Sequence, residues 1–241
     1  MTALAARLVD ALYPPRCAAC ETLTDAAHGL CPACWADTAF ITGLACAACG
    51  MPLPGQPAGA DVLCDACIAH PPGWDRGRAA ILYEGAGRRV ILSLKHGDRL
   101  DLAPVMAKWL ARAAPDLLAR AEILAPVPLH WTRLFRRSFN QSAEIARHLP
   151  RAAGRRLVPD LVTRIRRTPS TEGMTRARRI EALSGAFAVA PRHRTLIAGR
   201  RVLILDDVMT TGATLSAVAE ACRAAGASDV DVLVLARVAL G

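Results

Sequence analysis

Residues 202–214 of this 241-residue chain read Val-Leu-Ile-Leu-Asp-Asp-Val-Met-Thr-Thr-Gly-Ala-Thr, and no other run constrains the fold as much. Val202, Leu203, Ile204 and Leu205 are uniformly apolar, the mark of a strand buried on both faces, and Ala213 to Ala225 has helical composition. A strand, a polar loop and a helix in that order form half of a parallel α/β unit. The loop is expected to carry Asp206 and Asp207, then Thr210, Thr211, Gly212, Ala213 and Thr214. Free N–H groups, hydroxyls and the helix dipole converge where Thr and Gly precede a helix, and that corner suits a phosphate monoester. The two carboxylates would repel the same phosphate. They suit vicinal sugar hydroxyls or a magnesium ion instead, so one loop can grip a ribose 5-phosphate.

Eight of the nine cysteines form four Cys-x-x-Cys pairs: Cys17/Cys20, Cys31/Cys34, Cys46/Cys49 and Cys64/Cys67. A two-residue gap lets both thiolates of a pair reach one tetrahedral ion, and two pairs close a structural zinc site with no open position. Consecutive pairing gives two zinc ribbons, and interleaved pairing is the alternative. Met1 to Leu12 lacks the basic start of a secretory signal and carries Arg7 and Asp10. It reads as a short amphipathic helix with Leu4, Leu8 and Leu12 on one face, which leaves a reducing, cytoplasmic setting and argues against disulfides. Cys222, in the helix after the phosphate loop, reads as a buried inert thiol. His28 and His70 are expected to stay off the metal.

Strands alternate with helices through the rest of the chain, which predicts a mostly parallel sheet flanked by helices behind a small N-terminal four-cysteine zinc-ribbon module. The boundary is placed at the Pro/Gly-rich stretch from His70 to Gly77, giving a double zinc ribbon over 1–72 and an α/β domain over 73–241. Strands are expected at 81–83, 122–127 and 230–238. Helices are expected at 88–94, 102–118 with a bend near Pro115, and 139–149. Residues 155–190 read as a basic insertion, a hairpin with a mobile tip. No apolar run is long enough to cross a bilayer.

The net charge of +9 is uneven, since residues 131–201 hold 17 Arg against four acidic residues. So many unpaired guanidiniums favour a polyanionic partner, and single-stranded nucleic acid fits. Arg166, Arg167, Arg178 and Arg179 are candidates to contact it or to close over the site as a lid, and Trp131 is the candidate for stacking a base.

The 202–214 run resembles the signature of type I phosphoribosyltransferases, which bind 5-phosphoribosyl 1-diphosphate (PRPP). The resemblance implies that Asp206 and Asp207 meet the ribose hydroxyls, that Thr210 to Thr214 wrap the 5-phosphate, and that Mg2+ accompanies PRPP. Arg136, Arg137 and Asn140, with Lys95, are the candidates to hold the leaving diphosphate, a task that suits the guanidinium fork. The four cysteine pairs are followed by Pro126-Val127-Pro128-Leu129-His130, Arg137-Ser138-Phe139-Asn140-Gln141 and Ser184-Gly185-Ala186-Phe187. With the PRPP loop, that order resembles the ComF family of competence-associated proteins. Ser138, Thr171 and Ala182 depart from the Gly, Gln and Asn of the family pattern. The resemblance implies two structural Zn2+ ions, a phosphoribosyltransferase-like domain and a role on incoming single-stranded DNA in natural transformation, with other DNA-uptake proteins as candidate partners. The sequence shows neither an acceptor pocket nor a glutaminase motif, so active transfer of phosphoribose to a small acceptor is the alternative.

Overall fold

The computed structural model describes residues 14–24, 29–56, 59, 61–96, 99–128, 139–168 and 173–239. Five strands form one parallel sheet: β1 (Gly77–Leu82), β2 (Ile123–Pro126), β3 (Arg156–Leu157), β6 (Arg201–Met209) and β7 (Asp229–Arg237), in the order β1-β7-β6-β2-β3. A separate antiparallel pair joins β4 (Val162–Arg164) to β5 (Phe187–Val189). The two zinc ribbons contribute the short helices α1 (Pro32–Ala36) and α2 (Asp65–Ala69). Between β1 and β2 lie α3 (Gly85–His96), α4 (Ala103–Ala113) and α5 (Pro115–Arg120). α6 (Gln141–Arg147) follows β2, α7 (Arg176–Leu183) and α8 (Arg194–Ile197) precede β6, and α9 (Ala213–Ala224) joins β6 to β7.

Alternation along the strands sorts the core into two layers. Val202 and Ile204 of β6, with Val232 and Val234 of β7, pack under α9 and the β4–β5 pair. Leu203 and Leu205, with Leu233 and Leu235, pack against α3 to α6. Helices on both faces bury the middle of the sheet, which is why Val202 to Leu205 of β6 and Val232 to Ala236 of β7 read as unbroken apolar runs. Pro115 opens α5 and ends α4 at Ala114, as the expected bend requires, because its ring has no N–H to continue the ladder.

The segment that links the two ribbons, with Ala47 of the second, covers the β1 edge. Phe40 bridges Ile81 in antiparallel fashion, Ile41 donates to the Ala80 carbonyl at 3.0 Å and Leu82 to the Ala39 carbonyl at 2.9 Å. An edge that would otherwise invite pairing with another chain is thereby satisfied.

Three expectations are corrected. β1 begins at Gly77 rather than residue 81, because its ladder with β7 starts at the pair Gly77–Val232. β6 runs to Met209, so Asp206 and Asp207 lie within the strand rather than in the loop; β7 keeps pairing with it as far as Met209–Arg237. The basic segment 155–190 is more than a hairpin, since it supplies the edge strand β3, the β4–β5 pair and α7. Residues 169–172 of this segment and the expected amphipathic helix at 1–12 lie outside the described residues.

Candidate phosphoribosyl site and zinc centres

Strand order reverses between β2 and β6. From β2 the chain passes to β3 on one side, then returns across to β6 and β7 on the other. Ligands in open α/β sheets lie at such a switch point, outside the carboxyl ends of the strands. The end of β6 carries Asp206 and Asp207, and the end of β2 faces them through the start of α6.

The Asp206 Oδ1 accepts from the Asp207 N–H at 2.9 Å and from the Ser142 hydroxyl at 3.4 Å. Burial first, and the neighbouring Asp207 charge second, push its carboxyl up to about 7. Asp207 forms an ion pair with Lys95, its Oδ1 lying 3.0 Å from Nζ. The end of α3 thus brings Lys95, the expected diphosphate ligand, to the acidic pair.

The loop turns at Gly212, whose φ of +78° also makes it the residue ahead of α9. A Cβ there would strike the Trp74 ring at 2.7 Å, so backbone conformation and contact both favour glycine. The Thr211 hydroxyl accepts from the Ala213 N–H at 3.4 Å. The first bond of α9 runs from the Ser216 N–H to the Gly212 carbonyl, and the N–H groups ahead of it have no helical partner. Asp206, Thr210 to Thr214, Leu183 and Arg179 line one small pocket over this corner. Of the residues expected to hold ribose and 5-phosphate, Asp206 and Thr210 to Thr214 share this pocket, whereas Asp207 lies outside its lining on Lys95.

Asn140 is used at both ends. Its Nδ2 donates to the Val127 carbonyl at 2.9 Å, and its Oδ1 caps α6 by accepting from the Ala143 N–H at 3.2 Å. It ties the residue after β2 to the start of α6. Trp131, Arg136 and Arg137 lie outside the described residues. The four basic candidates separate. Arg166 donates to the carbonyls of Ala182 and Ser184 at the end of α7, Arg167 and Arg178 are exposed, and Arg179 reaches the Thr210 hydroxyl at 3.0 Å.

Three residues of the site escaped the sequence reading. Ser142 follows directly on the Asn140-Gln141 motif, a position that could have drawn attention. Arg237 is a lone cation at the end of the apolar run from Val232, which is itself a signal. Trp74 had none, since its contact with Gly212 spans much of the chain.

Each zinc centre draws its ligands consecutively. The sulfurs of Cys17, Cys20, Cys31 and Cys34 lie within 4.8 Å of one another, as do those of Cys46, Cys49, Cys64 and Cys67. Cys20 and Cys31 are 3.7 Å apart, and so are Cys49 and Cys64. Sulfurs bound tetrahedrally at about 2.3 Å would be about 3.8 Å apart, so the spacing fits zinc. In the second cluster a hydrogen bond from Cys49 draws the Cys46 thiol down to about 4, while the same bond and burial push Cys49 up. Thiols this close ionise together only around a cation, and two closed sites of this kind hold structural Zn2+. Cys222 is fully buried, and burial alone pushes its thiol up to about 12, as expected of an inert packing residue.

The chain matches the double zinc ribbon domain family over residues 8–68 and the phosphoribosyl transferase domain family over residues 136–239. Sheet, switch-point site and paired ribbons thus define a zinc-ribbon protein with a phosphoribosyltransferase-like domain. The chain is 30% identical over 231 residues to the DNA utilization protein YhgH of Escherichia coli (strain K12), covering 93% of this chain and 97% of that one. It is 28% identical over 179 residues to Competence protein F of Haemophilus influenzae, covering 72% and 78% respectively. This chain belongs to the ComF family. Among solved structures, the allosteric regulatory enzyme of purine biosynthesis matches 55% of this chain and 25% of its own at 21% identity, but its TM-score of 0.35 carries no argument.

Proposed function

We propose that this protein binds PRPP with Mg2+ at the end of β6 and uses that site in handling single-stranded DNA in the cytoplasm. The observation that carries the proposal is the meeting, at the switch point, of Asp206, with Asp207 hydrogen-bonded beside it, and a Thr/Gly loop at a helix start. Asp206 and Asp207 are suited to the ribose hydroxyls and Thr210 to Thr214 to the 5-phosphate. Lys95 has the charge to move from Asp207 onto an incoming diphosphate, joined by Arg136 and Arg137. Mg2+ would neutralise the diphosphate and favour its departure, and carboxylates such as these are its usual protein ligands. The zinc ribbons are structural, because four sulfurs in each leave no open position.

The DNA limb is supported by the names of the relatives, which concern DNA utilization and competence, and by the guanidiniums exposed at Arg167 and Arg178. No described helix is long and apolar enough to cross a membrane. The alternative is transfer of phosphoribose to a small acceptor. It is favoured by Asp206, whose carboxyl near 7 is suited to take a proton at neutral pH.

The test is a PRPP-dependent diphosphate-release assay across bases, amines and single-stranded oligonucleotides, run beside oligonucleotide binding at rising salt. The proposal expects binding that weakens steeply, with a log–log slope of about −0.7 per phosphate contacted. Diphosphate release with a small acceptor and no oligonucleotide binding would establish the alternative.

A further inference from the structure

Two guanidiniums from distant parts of the chain converge on Thr210. Arg237, at the end of β7, is buried and donates through Nη1 to the carbonyls of Met209 at 3.1 Å, of Val238 at 3.0 Å and of Thr210 itself. It thereby fixes the peptides that begin the loop. Arg179 comes from α7 and donates through Nη1 to the Thr210 hydroxyl at 3.0 Å, while its Nε donates to the Met174 carbonyl at 3.1 Å. Of the two, Arg179 is the one that lines the pocket with Thr211 to Thr214. Among the described residues neither guanidinium forms a salt bridge with a carboxylate, unlike Arg147 with Glu144 or Arg192 with Asp160 in the same basic stretch.

A half-buried guanidinium held on a hydroxyl at the rim of a pocket, without a counter-ion, matches the demand of a phosphate for a forked donor. Loop amides and hydroxyls alone would meet a phosphate dianion with partial charges. A full positive charge at the rim offsets the repulsion from Asp206 and Asp207. We infer that Arg179 is a phosphate-binding residue of the phosphoribosyl site, delivered by α7, and that the basic segment 155–190 is in part a wall of that site. Its neighbour Arg178 is exposed and lies outside the pocket lining, so adjacent arginines have different tasks.

The inference rests on the phosphate reading of Thr210 to Thr214, and its test keeps the two apart. Ribose 5-phosphate and PRPP with Mg2+ are titrated calorimetrically into the zinc-loaded wild type, Arg179→Ala, Arg179→Lys and Arg178→Ala. A change of at least tenfold in Kd for ribose 5-phosphate is expected with Arg179→Ala, partial recovery with Arg179→Lys, and a change under twofold with Arg178→Ala. Wild-type affinity in a folded Arg179→Ala protein would overturn the role of Arg179 and leave the site intact. Failure of the wild type to bind either ligand would overturn the phosphate reading, and this inference with it.

Discussion

In the first ribbon the Cys17 N–H donates to the Thr22 carbonyl and the Cys31 N–H to the Cys17 sulfur; in the second the Cys46 N–H donates to the Met51 carbonyl and the Cys64 N–H to the Cys46 sulfur. Single antiparallel bridges, Arg16 to Leu23 and Ala45 to Pro52, sit at matching places in the two. Their surroundings differ. Cys17 and Cys34 pack in a small cluster with Ala86, whereas Cys46, Cys49 and Cys67 belong to the same apolar core as β6, β7 and α9. Gly77 of β1 lies so close to the second ribbon that a Cβ there would fall 2.1 Å from the Ala48 carbonyl oxygen. Trp74 donates to that carbonyl at 2.6 Å and rests its ring against Gly212 of the loop ahead of α9. A repeated metal-binding design therefore packs against α3 in one copy and, in the other, joins the main core and braces the loop ahead of α9.

The largest expected effect separates the copies. Cys46→Ser with Cys49→Ser should lower zinc to about one ion per chain and also abolish the cooperative thermal transition of the sheet, because structural zinc contributes on the order of 10 kcal/mol to such folds. Cys17→Ser with Cys20→Ser should lose the other zinc and keep a cooperative, lowered transition. Elemental analysis with calorimetry reads both, and equal damage from the two variants would break the comparison. Trp74→Ala should cost about 3–5 kcal/mol, as large aromatic truncations in cores do, and weaken PRPP binding with both zinc ions retained. Gly212→Ala should cost less, about 1–2 kcal/mol for the left-handed conformation alone. Any further loss should come from Trp74, and pairing it with Trp74→Ala should show non-additive urea midpoints.

A separate effect is a pH dependence. The Asp206 pKa is raised in the folded protein, to about 7 from an ordinary value of 3.8. The native state therefore holds the proton more tightly than the unfolded chain, and stability falls as pH rises from about 4 to about 7, then levels. Asp206→Asn should remove that contribution and raise Tm relative to wild type at pH 8 but little at pH 5. A constant difference across that range would locate the titration elsewhere.

Local patterns made much of this legible in the sequence. Both zinc sites follow from cysteine spacing, β6 and α9 from an apolar run that changes period, and the α4–α5 break from Pro115. The unread parts depend on partners distant in the chain. β3 is two residues long and exists only because β2 offers it an edge. β6 outlasts its apolar residues because β7 continues beside it. Arg179 read as one of four equivalent candidates for a nucleic-acid contact or a lid, since only the packing of α7 on α9 singles it out by bringing it to Thr210.

The central claim is that the end of β6 binds a phosphoribosyl ligand through its acidic pair and loop together. Isothermal titration of PRPP with Mg2+ into the zinc-loaded protein, and into Asp206→Asn with Asp207→Asn, tests this most directly. The account predicts one saturable site per chain in the wild type and no measurable binding in the folded double variant. Equal affinity in both proteins, or no heat in the wild type, would contradict it.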